Sequence, residues 1–354
     1  MDNNNTTNLE QIKYLIQFAK DLTKKYEIIM TTSNKQQTDN TTDYLGNSVK
    51  AEFFSDQEEF LIFHTLKELG FSVKQFFNEE DFIKFITNHC ETYSKYIVLN
   101  SAQKGTKIGR KSLIPSICDL YGVKYIGSNP YIVSLCRDKY RTSCILKQNG
   151  IRTPQSWLYD ARYGWLNGSP DNFNHLLIIK PNYESSSIGI DESNIGYYDS
   201  HFINIIKELS SCYRQEILIE EFIEGYETET PIITYRIPLG FFPVAINLDN
   251  KPYMGKRILN YNNRAVDNYT FIDFSKTFPE LSSQLIKTAY KIVKLLSITG
   301  FGRVDFRIDS DEKFYVTDIS TNPHYTLKSS YNFVFQQLGL NYEDLISCLI
   351  ASSF

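Results

Sequence analysis

Several short apolar runs in this chain end in groups that do chemistry. Residues 176–180 (LLIIK) read as a strand closed by Lys180, with Pro181 next. A lysine there puts an ammonium beside whatever fills the neighbouring cleft. Just beyond, Glu184-Ser185-Ser186-Ser187-Ile188-Gly189 offers hydroxyls and a flexible backbone whose N–H groups can wrap phosphate, although serine-rich turns are usually only turns. Ile217 to Gly225 (ILIEEFIEG), followed by Glu227, is either a solvated acidic strand end or a strand end that gives amides to a base and a carboxylate to a ribose. In Gly300-Phe301-Gly302-Arg303-Val304-Asp305, period-two alternation puts Arg303 and Asp305 on one face. That pair is a structural ion pair or an anion site beside a metal ligand. Asp318, in Thr317-Asp318-Ile319-Ser320-Thr321-Asn322-Pro323, lies one short turn after Asp305, so the two carboxylates could face each other and suit Mg²⁺ with phosphate oxygens completing its shell.

The spacing predicts helices over residues 9–25, 57–69, 113–121, 135–149 and 280–297. The last carries Leu281, Leu285, Ala289, Ile292, Val293 and Leu296 as an apolar stripe, and the 57–69 helix presents Phe60, Leu61, His64 and Leu69, with His64 read as a packed core histidine. Strands are predicted over residues 95–100 and 123–127, alternating with helices as in an open α/β layer. Further strands over 176–180, 217–222, 230–237, 242–248, 302–308 and 314–318 read as antiparallel sheet. Residues 33–48 (SNKQQTDNTTDYLGNS) form a long polar loop of a length often tied to function.

The 354 residues carry 37 Lys and Arg against 41 Asp and Glu, a net charge of −4, which disfavours nucleic-acid binding driven by charge. With 42% hydrophobic residues the chain can build an ample core over two or three domains, and disorder is excluded for most of it. The six cysteines form no C-x-x-C pair and are read as reduced, mostly buried thiols. No apolar run is long enough to span a membrane, so a cytoplasmic location is expected.

Taken in order, YIGS, RDKYRT, IIKP, ESSSIG, ILIEEFIEG with Glu227, GFGRVDFRID and TNPHYT resemble the ATP-grasp carboxylate–amine ligases, most closely the D-alanine:D-alanine ligase branch, over residues 125–347. The resemblance implies an α/β and α+β ATP-grasp fold, with an N-terminal open α/β domain (1–128) and two ATP-clasping subdomains (129–224 and 225–354). It implies ATP and one or two Mg²⁺ ions as cofactors. Lys139 and Lys180 would hold the α- and β-phosphates, Ser186 and Ser187 would cover them, Glu220, Glu221, Phe222 and Ile223 would hold adenine, and Glu227 the ribose. Lys256 would reach the γ-phosphate, Arg303 would stabilise an oxyanion, and Asp305, Asp318 and Ser320 would stand at the metal positions, with Arg303, Lys256 and Ser187 as the catalytic set. The implied partners are a small-molecule carboxylate donor and an amine acceptor, with neither nucleic acid nor membrane and with a homodimer left open.

Departures accompany the matches. Asp318 replaces the family's Glu, Ser320 its metal-binding Asn, His324 a Gly, and Ser185 another Gly. Where relatives carry a His-Gly and then a Glu-Asp-Gly motif, this chain has Gln103 to Lys111, with Lys104, Lys107, Arg110 and Lys111. That stretch is either drift in a solvated loop or a changed donor site. No early Glu for a substrate ammonium is evident in the 33–48 loop. The implied activity is amide-bond formation through an acyl phosphate, in specialised biosynthesis rather than housekeeping D-alanine ligation. A divergent D-alanine ligase, and a degenerate relative that binds nucleotide without ligating, stay open beside it.

Overall fold

The computed structural model describes residues 2–36, 43–44, 48–88, 90–171, 173–266 and 268–354. The 33–48 loop lies in part outside them. In chain order the elements are α1 (Asp2–Leu22), β1 (Glu27–Thr31), α2 (Asp56–Glu68), β2 (Ser72–Phe76), α3 (Glu79–Asn88), β3 (Tyr96–Asn100), α4 (Leu113–Tyr121), β4 (Lys124–Tyr125), α5 (Pro130–Arg137), α6 (Lys139–Gln148), β5 (Ser156–Asp160), β6 (Gly164–Trp165), β7 (Leu177–Pro181), β8 (Ile195–Gly196), α7 (Ser200–Tyr213) and β9 (Ile217–Glu221). Then come β10 (Gly225–Tyr235), β11 (Ile237–Gly240), β12 (Val244–Asn247), β13 (Tyr253–Gly255), α8 (Tyr261–Ala265), β14 (Thr270–Asp273), α9 (Pro279–Leu296), β15 (Gly300–Ile308), β16 (Phe314–Ser320), α10 (Ser330–Gln337) and α11 (Tyr342–Ala351).

Three sheets organise these elements. The first is parallel, in the order β2-β1-β3-β4, as an open α/β layer requires. The second is antiparallel, in the order β6-β5-β9-β7-β8. The third runs β14-β12-β10-β15-β16, with β11 and β13 also paired to β10. The apolar stripe expected on α9 is its buried face. One core joins the two ends of the chain: Ile12 and Leu15 of α1 cluster with Leu345, Leu349 and Ile350 of α11 and with Ile233 and Phe301 of the third sheet. At this junction Ser128 Oγ donates to the Thr299 carbonyl at 3.1 Å, and the Thr299 N–H donates back to Ser128 Oγ at 3.1 Å. Gly300 has φ +75°, and a Cβ there would meet the Gly127 backbone at 2.7 Å.

Three expectations need correction. The helix over 135–149 is two helices, broken at Asp138, whose φ −81° and ψ 87° leave the helical region. Its carboxylate accepts from the Arg141 N–H at 3.0 Å, and this cap starts α6 afresh. The helix over 57–69 exists, but its buried residues are Glu59, Ile62, Thr65 and Leu66, while Phe60 is 67% exposed. Glu59 is drawn inward by Thr32 and Asn34, which donate to it, and this turns the helix. His64 is accordingly no core residue: it is half exposed, 3.3 Å from Glu68. The strand over 123–127 shrinks to β4, two residues long. No described helix is long and apolar enough to cross a membrane. Cys118, Cys136 and Cys348 are buried free thiols, whereas Cys144 is exposed.

Candidate functional site

The second and third sheets face each other across a cavity of about 190 Å³. Lys139, Lys180, Ser186, Ser187, Glu220, Glu221, Phe222, Ile223, Glu227, Arg303, Asp305, Asp318 and Ser320 all line it. Lys256 does not join them. It is 65% exposed beside Glu224, at 3.6 Å.

The two lysines arrive by different routes to one place. Lys180, next to last in β7, reaches Glu220 of β9 at 2.6 Å. Lys139 opens α6 and reaches Asp318 of β16 at 3.1 Å. Asn182, fully buried, ties them together: its Nδ2 donates to Asp138 at 2.9 Å and its Oδ1 accepts from the Tyr140 N–H at 2.9 Å. Ser186 and Ser187 have φ of 54° and 56°, so the loop after β7 is held in left-handed backbone, and Ser187 Oγ donates to the Leu259 carbonyl at 2.6 Å.

Asp305 and Asp318 are opposite each other on β15 and β16. Burial pushes the Asp305 carboxyl up to about 7; Arg303 opposes this, and Glu229 and Asp318 reinforce it. Burial also raises Asp318, but Lys139 and Lys180 outweigh it and hold that carboxyl below the usual range. Arg303 donates from Nε and Nη2 to Asp305 at 2.7 Å each, and its Nη1 lies 3.0 Å from Glu229. Among the described residues no group of three or more His, Cys, Asp or Glu could form an all-protein metal cage. Two facing carboxylates with the Ser320 hydroxyl are hard oxygen donors of the kind that would hold one Mg²⁺ beside phosphate, in exchange for their present partners Arg303 and Lys139.

At one end of the cavity sequence reasoning singles out Arg110 and Lys111 but misses the carboxylate they surround. Glu52, from the segment before α2, is fully buried; Lys111 reaches it at 2.7 Å, Arg110 at 3.4 Å, and the Ser185 N–H donates to it at 3.0 Å. Burial raises its carboxyl, but Lys111, Arg137 and Arg110 together hold it well below the usual range. Arg110 also binds Glu184 at 2.7 and 3.2 Å, and Tyr44 OH donates to Glu184 at 2.6 Å. Of the four cations expected as a group, only Arg110 and Lys111 turn inward. Lys104 pairs with Glu80 on the surface and Lys107 is exposed. Arg307 was also overlooked: it binds Glu227 at 2.8 Å and stacks over Phe222, its centre 4.9 Å from the ring. Alternation from Arg303 and Asp305 places Arg307 on the same face, and that signal could have found it.

A second cavity of about 380 Å³ shares Ser186, Arg303 and His324 with the first. It is also lined by Glu229 and Ser329. The guanidinium of Arg303 thus stands in the wall between two spaces.

Residues 160–351 match the family described as D-ala D-ala ligase C-terminus. The D-alanine–D-alanine ligase of Acetivibrio thermocellus is 29% identical over 255 residues, 68% of this chain and 64% of that enzyme, so the match takes in just under two thirds of its length. The Bordetella petrii D-alanine–D-alanine ligase is 26% identical over 70% of this chain and 73% of its own. Among solved structures, the Bacillus anthracis D-alanine–D-alanine ligase complexed with ATP superposes with a TM-score of 0.70 at 19% identity, over 92% of this chain and 97% of that one. The VanG D-Ala:D-Ser ligase of Enterococcus faecalis gives 0.67 at 17% identity, over 93% and 99%. These structures establish the ATP-grasp fold.

Proposed function

The chain belongs to the D-alanine–D-alanine ligase family, and from that premise we propose that it is an ATP-dependent ligase that joins a carboxylate to an amine through an acyl phosphate. The observation that carries this reading is Arg303 between two cavities, one lined by Lys139 and Lys180, the other large enough for a small amine. A carboxylate is a poor electrophile. Its transfer to an amine needs a leaving group, and the γ-phosphoryl of ATP supplies one.

The residues divide the work by chemistry. Phe222 and Ile223 offer an apolar seat for a base, and Glu227, steadied by Arg307, offers a ribose acceptor. Lys139 and Lys180 leave their carboxylate partners for phosphate oxygens, and Ser186 and Ser187 close over them. Asp305, Asp318 and Ser320 would hold Mg²⁺, which neutralises phosphate charge when bound. Arg303 donates to the oxyanion formed when the amine attacks, from a buried position where such a donor is worth about 2.7–4 kcal/mol. The amine acceptor enters from the second cavity. The exposed Lys256 takes part only if the chain around it closes on ATP.

Arg110 and Lys111 at the Glu52 end, and His324 between the cavities, support a donor and acceptor other than two D-alanines, and hence a specialised role. A second reading, nucleotide binding without ligation, draws on Asp305 being held by both arms of Arg303. The deciding experiment supplies ATP, Mg²⁺ and pairs of acids and amines, measures phosphate release and identifies the product by mass. An amide product with stoichiometric phosphate is expected. ATP binding with no product from any pair would leave the second reading.

A further inference from the structure

A recess opens off the main cavity. Lys111, Lys139, Ser185 and Asp318 line both, whereas Arg137 lines only the recess. Its volume is about 20 Å³, room for one water or one carboxylate oxygen. Behind it, Arg110, Lys111 and Arg137 face Glu52 and Glu184, so three cations meet two carboxylates. The most exposed of these five side chains is Lys111, at 11%. Arg137 Nη1 stands 3.6 Å from Glu52 and makes no hydrogen bond among the described residues. Burial pushes the Lys111 ammonium down to about 8 against the pull of Glu52, and Arg137 and Arg110 add to the push. A buried surplus of positive charge is costly until an anion joins it. Glu52 is enclosed by Lys111, Arg110 and Arg137, so a substrate ammonium brought there would meet three cations before it met the carboxylate.

We propose that this recess is an anion subsite and that the donor is a dicarboxylic acid, one carboxylate activated in the cleft and the other held by Lys111 and Arg137. The proposal rests on the ligase reading, but its test is separable because it involves no turnover. The purified protein, saturated with Mg²⁺ and a non-hydrolysable ATP analogue, is titrated calorimetrically with succinate, glutarate, butyrate, phosphonoacetate and D-alanine. One of the two dicarboxylates is expected to bind at least about tenfold tighter than butyrate, the scale of one charge-assisted hydrogen bond, and D-alanine no tighter than butyrate. In Lys111→Met that preference disappears while affinity for the nucleotide analogue holds. Equal binding of butyrate and both dicarboxylates, or tightest binding of D-alanine, overturns the proposal. Tightest binding of phosphonoacetate overturns it in favour of a phosphate-bearing donor. Loss of nucleotide affinity in Lys111→Met, matching the loss for dicarboxylate, assigns the lysine to ATP and also overturns it. None of these results touches amide formation itself.

Discussion

Arg303 spends its fork on two carboxylates at once, Asp305 through two parallel bonds and Glu229 through the third nitrogen. A lysine there keeps the charge but cannot span both partners or aim a donor at a fixed point. Arg303→Lys is expected to leave the fold intact and lower kcat by about 100-fold or more, the cost of one oxyanion donor, with a smaller change in ATP KM. A kcat within threefold of the parent would remove Arg303 from that role. Lys111 makes a prediction of a different kind. Its folded value, near 8, is below that of an ordinary lysine, so the charged form is disfavoured in the native state. Below pH 8 the full cost is present; as pH rises from 8 towards 10.5 the native protein sheds this proton while the unfolded chain keeps it, and the parent gains stability. Lys111→Met, which lacks the proton throughout, should be as stable as the parent or more so at pH 7, by up to about 3 kcal/mol. The gap should narrow by pH 10 in denaturant unfolding. A gap that widens with pH contradicts the assignment.

At the scale of elements, the break between α5 and α6 matters most. It aims Lys139 at β16, and Asn182, immediately after β7, locks that break to the strand carrying Lys180. Asn182→Ala should destabilise the fold by about 1–3 kcal/mol and raise the Kd for ATP severalfold, because both lysines lose their common anchor. Unchanged ATP affinity would show that the lysines are placed independently. This break also marks the limit of sequence reading. The apolar spacing across 135–149 is continuous, so periodicity alone runs one helix through it; the asparagine that stabilises the break is more than forty residues away. Lys180, Glu227, Arg303, Asp305 and Asp318, whose place on the cavity wall is legible in the sequence, sit at strand ends or alternate along one strand, where position and orientation follow from local rules. Glu52 and Arg137 do not. Each is placed by partners brought in from distant elements: nothing near Glu52 marks it, and Arg137 opens RDKYRT without that motif singling it out. The buried face of α2 escaped for the same reason, since Glu59 is buried where Thr32, Asn34 and Gln75 are there to satisfy it.

At the scale of the molecule, the segment just after the parallel sheet's last strand meets the third sheet where the Gly127 backbone leaves no room for a Cβ on Gly300. Gly300→Ala should cost about 2 kcal/mol or more through the left-handed backbone and the clash together, measured by denaturant unfolding. A loss under about 0.5 kcal/mol would mean the junction yields freely. The pairing of α1 with α11 carries a further consequence, one of time. A ribosome adds about 5–20 residues per second, so α1 emerges on the order of tens of seconds before the helix that covers Ile12 and Leu15. During that interval the first sheet can form, yet its apolar flank has no cover. Slower elongation should therefore increase the fraction of new chains captured by chaperones, while the refolding yield of the complete chain, in which both helices are present from the start, stays the same.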